Sequence, residues 1–198
     1  MRAVDRWLQS WRIAKVLPWI RPGDRLLDVG CYDRVLLRRV SQRIALGVGV
    51  DPLTEPGRSG NLRWVRGVFP GDVGFEPGGF DCVTALAVLE HLADPAAFAA
   101  ACAEVLAPGG RVALTVPHPR VDGILDALIR LGLADGMSEE EHHGFDVAET
   151  IPVFEGAGFR LRHRAGFQLG LNTLFVFERP DADSTCAPVE RGAAHGAA

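Results

Sequence analysis

Apolar residues recur along this chain in two rhythms, one helical and one suited to buried strands. Val4, Trp7, Leu8, Trp11, Ala14 and Leu17 fall at i, i+3, i+4 and i+7. That spacing predicts an amphipathic helix over residues 1–20, stopped at Pro18. The rhythm changes at Arg25. Arg25 to Val29 is a short apolar run that closes with Asp28, and Gly30 turns the chain. Val35, Leu36 and Val40 then recur at helical spacing, and Ala45 to Val50 is a second apolar run ending in Asp51. A strand, a crossover helix and a strand of this length predict a parallel βαβ unit. Residues 52–60, rich in proline and glycine, read as a loop, and Leu62 to Arg66 as a third strand.

The second half continues the alternation. Phe80 to Ala87 is nearly all apolar, which suits a strand buried on both faces. Asp94 and Pro95 are a helix cap and a first helical residue. Phe98, Cys102, Val105 and Leu106 make one helical face, which Pro108, Gly109 and Gly110 end. Arg111 to Val116 is the next strand. Apolar positions 121, 124, 125 and 128 suit a helix, Ser138 to Glu141 a capping box, and Asp146 with Glu149 a further cap. Pro152 belongs near the first turn of a helix that ends at Gly156 to Gly158. Phe159 to Phe167 and Asn172 to Arg179 are joined so closely that they must pair antiparallel. The fold class is therefore α/β, a doubly wound sheet of seven strands, mostly parallel with an antiparallel last strand. Residues 1–20 form an N-terminal helix, 21–180 the folded domain, and 181–198, without periodicity, a disordered tail. The helix at the start packs on the sheet or covers a ligand mouth, with packing the expected role.

Composition narrows the class. The 198 residues are 47% hydrophobic and 23% charged, with a net charge of -4. This is the balance of a soluble globule, and it lacks the basic face of a nucleic-acid binder. No apolar run has transmembrane length and no signal peptide is visible, so no membrane partner is expected. Cys31, Cys82, Cys102 and Cys186 have no C-x-x-C spacing. A reduced, cytoplasmic protein without structural zinc is the expectation.

In a doubly wound sheet, ligands bind beyond the carboxyl ends of the strands. Asp28 and Asp51 both fall there, and suit a ligand with an amine at one end and a ribose at the other. The phosphate-cradling G-x-G-x-x-G is absent, which argues against a nicotinamide or nucleotide-sugar cofactor. The stretch Asp28, Gly30, Tyr32, Arg34 resembles the D-x-G-x-G-x-G motif of class I S-adenosylmethionine (SAM) dependent methyltransferases, with Tyr32 and Arg34 at two glycine positions. FDCVTALAVLEHLADP and VLAPGGRVALTVP, between Phe80 and Pro117, resemble the later motifs of the same family in order and spacing. The resemblance implies a Rossmann-like fold and SAM as cofactor. It implies cofactor contacts from Asp28, Gly30, Cys31, Tyr32, Asp51, Pro52, Val68, Phe69, Ala85 and Leu86. Relatives carry an acid after the third strand for the adenine amino group; here the place is held by Val68 and Phe69, an apolar pair that can sandwich the ring.

The activity so implied is methyl transfer to an oxygen, nitrogen or carbon of a small molecule, of which a saccharide or natural-product intermediate is one class. Little sequence stands outside the core motifs, which favours a small acceptor. Oxygen and nitrogen acceptors must lose a proton, and histidine is the usual base near neutral pH. His91, just past the fourth strand, and His142 and His143, in a polar loop, are the candidates. His118 is a further pocket residue and His163 a structural one. Adjacent histidines seldom point at one ion, so no metal is expected. The alternative reading, motivated by Tyr32 and Arg34, is a methyltransferase fold that runs another reaction or serves as a binding subunit.

Overall fold

The structure is a computed structural model and describes residues 3–118 and 146–181. Positions 121–133, the capping box at 138–141, His142, His143 and the tail beyond 181 lie outside the described residues.

The elements are α1 (Ala3–Val16), a 3₁₀ turn (Leu17–Trp19), β1 (Arg25–Val29), α2 (Val35–Val40), β2 (Leu46–Asp51), β3 (Gly57–Ser59) and β4 (Leu62–Arg66). There follow β5 (Phe80–Leu86), a 3₁₀ turn (Leu89–His91), α3 (Pro95–Val105), β6 (Leu106–Pro117), a 3₁₀ turn (Val147–Glu149), α4 (Thr150–Gly156), β7 (Arg160–Phe167) and β8 (Asn172–Glu178). They form one sheet in the order β3-β4-β2-β1-β5-β6-β8-β7. The strands β4, β2, β1, β5 and β6 are parallel; β8 runs antiparallel between β6 and β7, and β3 antiparallel to β4.

The doubly wound sheet and the terminal hairpin are as the periodicity predicts. The strand count is not: there are eight strands rather than seven. The extra one, β3, lies in the stretch read as loop. It forms because Gly57 lets the backbone approach Trp64, where a side chain would come within 2.9 Å of the ring. A three-residue edge strand has no apolar alternation to announce it.

Alternate residues of each strand serve opposite layers. One layer packs Leu27, Val29, Val48, Val50, Val83 and Leu114 against α3 and α4, centred on Phe98 and Phe154. The other packs Leu26, Cys82, Ala113 and Val176 against α1 and α2. Asp94 caps α3 by accepting from the Ala97 amide at 2.8 Å, and Asp146 caps the 3₁₀ turn before α4 by accepting from Ala148 at 2.9 Å.

The first helix departs from its predicted face. Its buried line is Ile13 and Val16, continued by Ile20, whereas Trp7 is 59% exposed and Ala14 faces solvent. The branched aliphatics fill the shallow sheet surface, and Trp7 rests edge-on against Trp11 at 5.0 Å on the outer side. At the amino edge of the sheet the helix is tied down through Arg111, which donates to the Trp19 carbonyl and to buried Asp24.

Candidate functional site

The carboxyl edge of the five parallel strands gathers most of the residues singled out by sequence. The β1–α2 loop builds the centre. Gly30, Tyr32 and Arg34 all have positive φ, at 74°, 28° and 63°. The left-handed path that glycine favours is thus kept where two glycines are gone. Gly30 is further required because a Cβ there would meet Val88 Cγ2 at 2.6 Å. The Gly30 and Cys31 amides donate to the Val50 carbonyl, at 2.8 and 3.3 Å, which ties the loop to the end of β2.

Asp51 closes β2 beside this loop and is buried. Its two oxygens accept from the Tyr32 amide at 3.1 Å and the Leu53 amide at 2.7 Å. A carboxylate fixed by two backbone amides keeps lone pairs for further donors. Asp28 stands opposite Thr84 in the β1–β5 register, and the Thr84 hydroxyl donates to it at 2.7 Å. Burial pushes the Asp28 carboxyl up to about 7, against the Thr84 hydrogen bond, with Asp33 and Asp51 adding to the rise. At neutral pH this acid is poised between its two forms.

The flanking residues sort by strand parity. Tyr32 is 49% exposed and Val68 46%, both at the edge. Phe69 is buried, in ring contact with Phe75 and Phe98 at 5.9 and 6.0 Å. Val68 alone of that pair faces outward. Cys31 contributes backbone only: its thiol packs where Gly49 leaves room, and burial raises it to about 12. Pro52 is exposed, Ala85 is buried and Leu86 half-buried at the end of β5. After it Ala87 takes a φ of 57°, and the chain turns into Leu89–His91. The His91 side chain is about half exposed, with Nε2 4.0 Å from Glu90 Oε1. His118 has its amide bonded to the Leu171 carbonyl at 2.9 Å, and His163 stacks near Trp19 at 5.0 Å.

Two residues here were not singled out by sequence. Thr84 was visible only as a hydroxyl inside an apolar strand. Gln9, on α1, donates to both oxygens of Asp33 at 3.0 and 3.1 Å, and so joins the first helix to the β1–α2 loop. Nothing in a lone glutamine marks that contact. Among the described residues no group of three His, Cys, Asp or Glu side chains could hold a metal ion.

A family model described as a methyltransferase domain matches residues 4–164. A ubiquinone biosynthesis O-methyltransferase of Ralstonia nicotianae is 31% identical over 157 residues, which is 72% of this chain and 65% of that protein. The matched part of the chain thus spans just under two thirds of that relative's length. Among solved structures, an S-adenosylmethionine dependent methyltransferase from Mesorhizobium loti is 16% identical. It aligns with a TM-score of 0.65 over 84% of this chain and 95% of its own. The [4+2]-cyclase SpnF aligns with a TM-score of 0.64 at 13% identity, over 91% of this chain and 82% of its own. At such identities these two comparisons speak to the fold alone.

Proposed function

This chain belongs to the methyltransferase domain family, and from that premise we propose that it transfers a methyl group from SAM to an oxygen of a small molecule. The observation that carries the reading is the β1–α2 loop. It keeps left-handed backbone at Gly30, Tyr32 and Arg34 and is hydrogen-bonded to Asp51, the acid at the end of β2. That combination supplies an anionic hydrogen-bond acceptor beside a close-approach turn, which fits a ribose next to an amino acid. The oxygen acceptor is supported by the O-methyltransferase name of the relatives.

When bound, SAM would supply an electrophilic methyl on a positively charged sulfur, so the chain's residues need only bind, orient and deprotonate. Asp51 would accept from ribose hydroxyls, the left-handed backbone at Tyr32 would let the ligand approach, and Val68 would lie against the nucleoside. Asp28, once ionised, would face the amino group. His91, about half exposed past β5, is the residue assigned to take the acceptor's proton. The His91 imidazole would take the acceptor hydroxyl's proton as that oxygen gains the methyl group, with the sulfur keeping the electron pair of the bond it gives up. In-line alignment and exclusion of water supply the remaining rate enhancement.

A second reading, a different reaction in the same fold, is favoured by the side chains of Tyr32 and Arg34 in the loop. Calorimetry with SAM, together with an assay for the demethylated product in the presence of a panel of small hydroxylated acceptors, separates the two. Binding with turnover supports methyl transfer; binding without turnover, or no binding, favours the second reading. Asp51→Ala is expected to weaken SAM by about 1.5–3 kcal/mol, the scale of hydrogen bonds to a charged acceptor. Asp51→Asn, which retains one acceptor, should lose less. Unchanged affinity in both folded variants removes Asp51 from the site.

A further inference from the structure

Six large apolar side chains are exposed among the described residues: Trp7, Tyr32, Leu46, Leu53, Val68 and Leu169. Only Leu46, at the start of β2, stands at the amino edge of the sheet. The other five stand at the carboxyl edge. Tyr32, Leu53 and Val68 flank the candidate cofactor site. Trp7 and Leu169 stand where the β7–β8 turn meets the start of α1, the Gln168 side chain reaching the Leu8 carbonyl.

The turn is built to display its leucine. Gln168, Leu169 and Gly170 have φ of 53°, 57° and 83°, and Leu169 is 99% exposed. Glycine or asparagine would take this left-handed position with less strain. The turn is also held in place. The Gln168 amide group donates to the Leu8 carbonyl at 3.2 Å, Asn172 donates to Gln168 at 2.6 Å, and Phe167 lies 6.5 Å from Trp11. Trp7 leans on Trp11 and projects from the same corner. Arg6 and Lys15 are exposed on α1, with Lys15 over the Phe167 ring at 6.0 Å. These two cations belong to a chain of net charge -4.

We propose that this corner, Trp7 and Leu169 with Arg6 and Lys15, docks the protein on an anionic lipid surface. Two apolar prongs on rigid supports, flanked by cations, suit insertion between headgroups. Anionic lipid complements the lysine and arginine. A protein partner would need a contiguous patch, whereas the prongs are single side chains set among polar residues. Docking of this kind requires no spanning segment, and no described helix is long and apolar enough to cross a membrane. It would turn the carboxyl edge, with the candidate site, toward the bilayer. The proposal is independent of the methyl-transfer reading, since docking is measured without SAM.

The test is co-sedimentation of the full chain with phosphatidylcholine vesicles and with vesicles of phosphatidylcholine and phosphatidylglycerol at 3:1. Binding to the second and not the first is expected, weakened at high salt. The Trp7→Gln, Leu169→Asn double variant keeps a helix former and a left-handed turn residue, and its partitioning should fall at least tenfold. Leu46→Gln, at the opposite edge, should bind as the wild type does. Quenching of wild-type tryptophan fluorescence by brominated lipid in the same vesicles needs no variant and should be seen. Absence of quenching and sedimentation, or equal partitioning of the folded double variant, overturns the proposal. So does a wild-type dimer that the double variant converts to monomer without any vesicle binding, which would make the corner a contact between copies.

Discussion

Tyr32 and Arg34 hold left-handed backbone, at a cost of about 1–2 kcal/mol each for a residue with a side chain. Arg34 recovers part of this by placing its guanidinium over Trp64 at 5.0 Å, a contact of about 0.5–1 kcal/mol. That contact also answers why a cation sits at the start of α2, where the helix dipole disfavours it. Tyr32 has no such return and is half exposed. Tyr32→Gly should therefore stabilise the fold by about 1 kcal/mol, while Arg34→Gly should be near neutral, both read from urea unfolding. Because Arg34 leans on Trp64, the double variant should bind SAM equally or more tightly. A folded double variant that no longer binds SAM would make these side chains parts of the site and favour the second reading. The place of Asp28, Gly30 and Asp51 at the carboxyl edge was legible because each lies at a strand end or opens the turn after it. Phe69 and Cys31 show what was not: neighbouring residues at a strand end face opposite ways, and sequence did not say which of Val68 and Phe69 faces out.

The first helix shows the same limit at the scale of an element. Its period and its stop at Pro18 were plain, but the tryptophans drew the expected face, and the structure buries Ile13 and Val16 instead. A helix with apolar residues on more than one side has no unique inward face until its partner surface is known. The energetic consequence is direct. Ile13→Ala removes a side chain that is 1% exposed and should cost about 2–4 kcal/mol. Trp7→Ala, at 59% exposed, should cost less than about 1 kcal/mol. Chemical denaturation of the two variants decides between the faces. A reversed order would mean that the tryptophan side is the packed one. The edge strand β3 was missed for a related reason: three residues paired through Gly57 carry no periodic signal.

For the whole molecule, the alternation of strands and helices made the parallel sheet and the closing hairpin readable in advance. What it left hidden is how the buried acid at the centre links folding to pH. Asp28 is raised to about 7 by burial, so its folded value exceeds its ordinary one of 3.8. Between those two values the unfolded chain has released the proton that the folded chain keeps, and stability declines as pH rises. The contribution is intact below about pH 4 and lost as pH passes 7, with an upper bound of about 4 kcal/mol for a shift of some three units. Asp81 acts in the opposite sense. Its hydrogen bond to Arg25 lowers it, so its contribution is lost only as pH falls below the carboxylate range, and partial exposure keeps it small. The two windows do not overlap. Asp28→Asn keeps the shape and can still accept from Thr84, so it removes the titration alone. Between pH 5 and 8.5 the melting temperature of the wild type should fall by several degrees relative to that of Asp28→Asn. If a ligand ammonium sits beside Asp28, SAM favours the ionised form. The SAM-induced rise in melting temperature should then grow through pH 7 in the wild type and stay flat in Asp28→Asn. Parallel melting curves without ligand would deny that Asp28 titrates near neutrality. A pH-independent SAM shift in the wild type, with the unliganded curves diverging as expected, would leave the buried acid in place and move the ligand's amino group away from it.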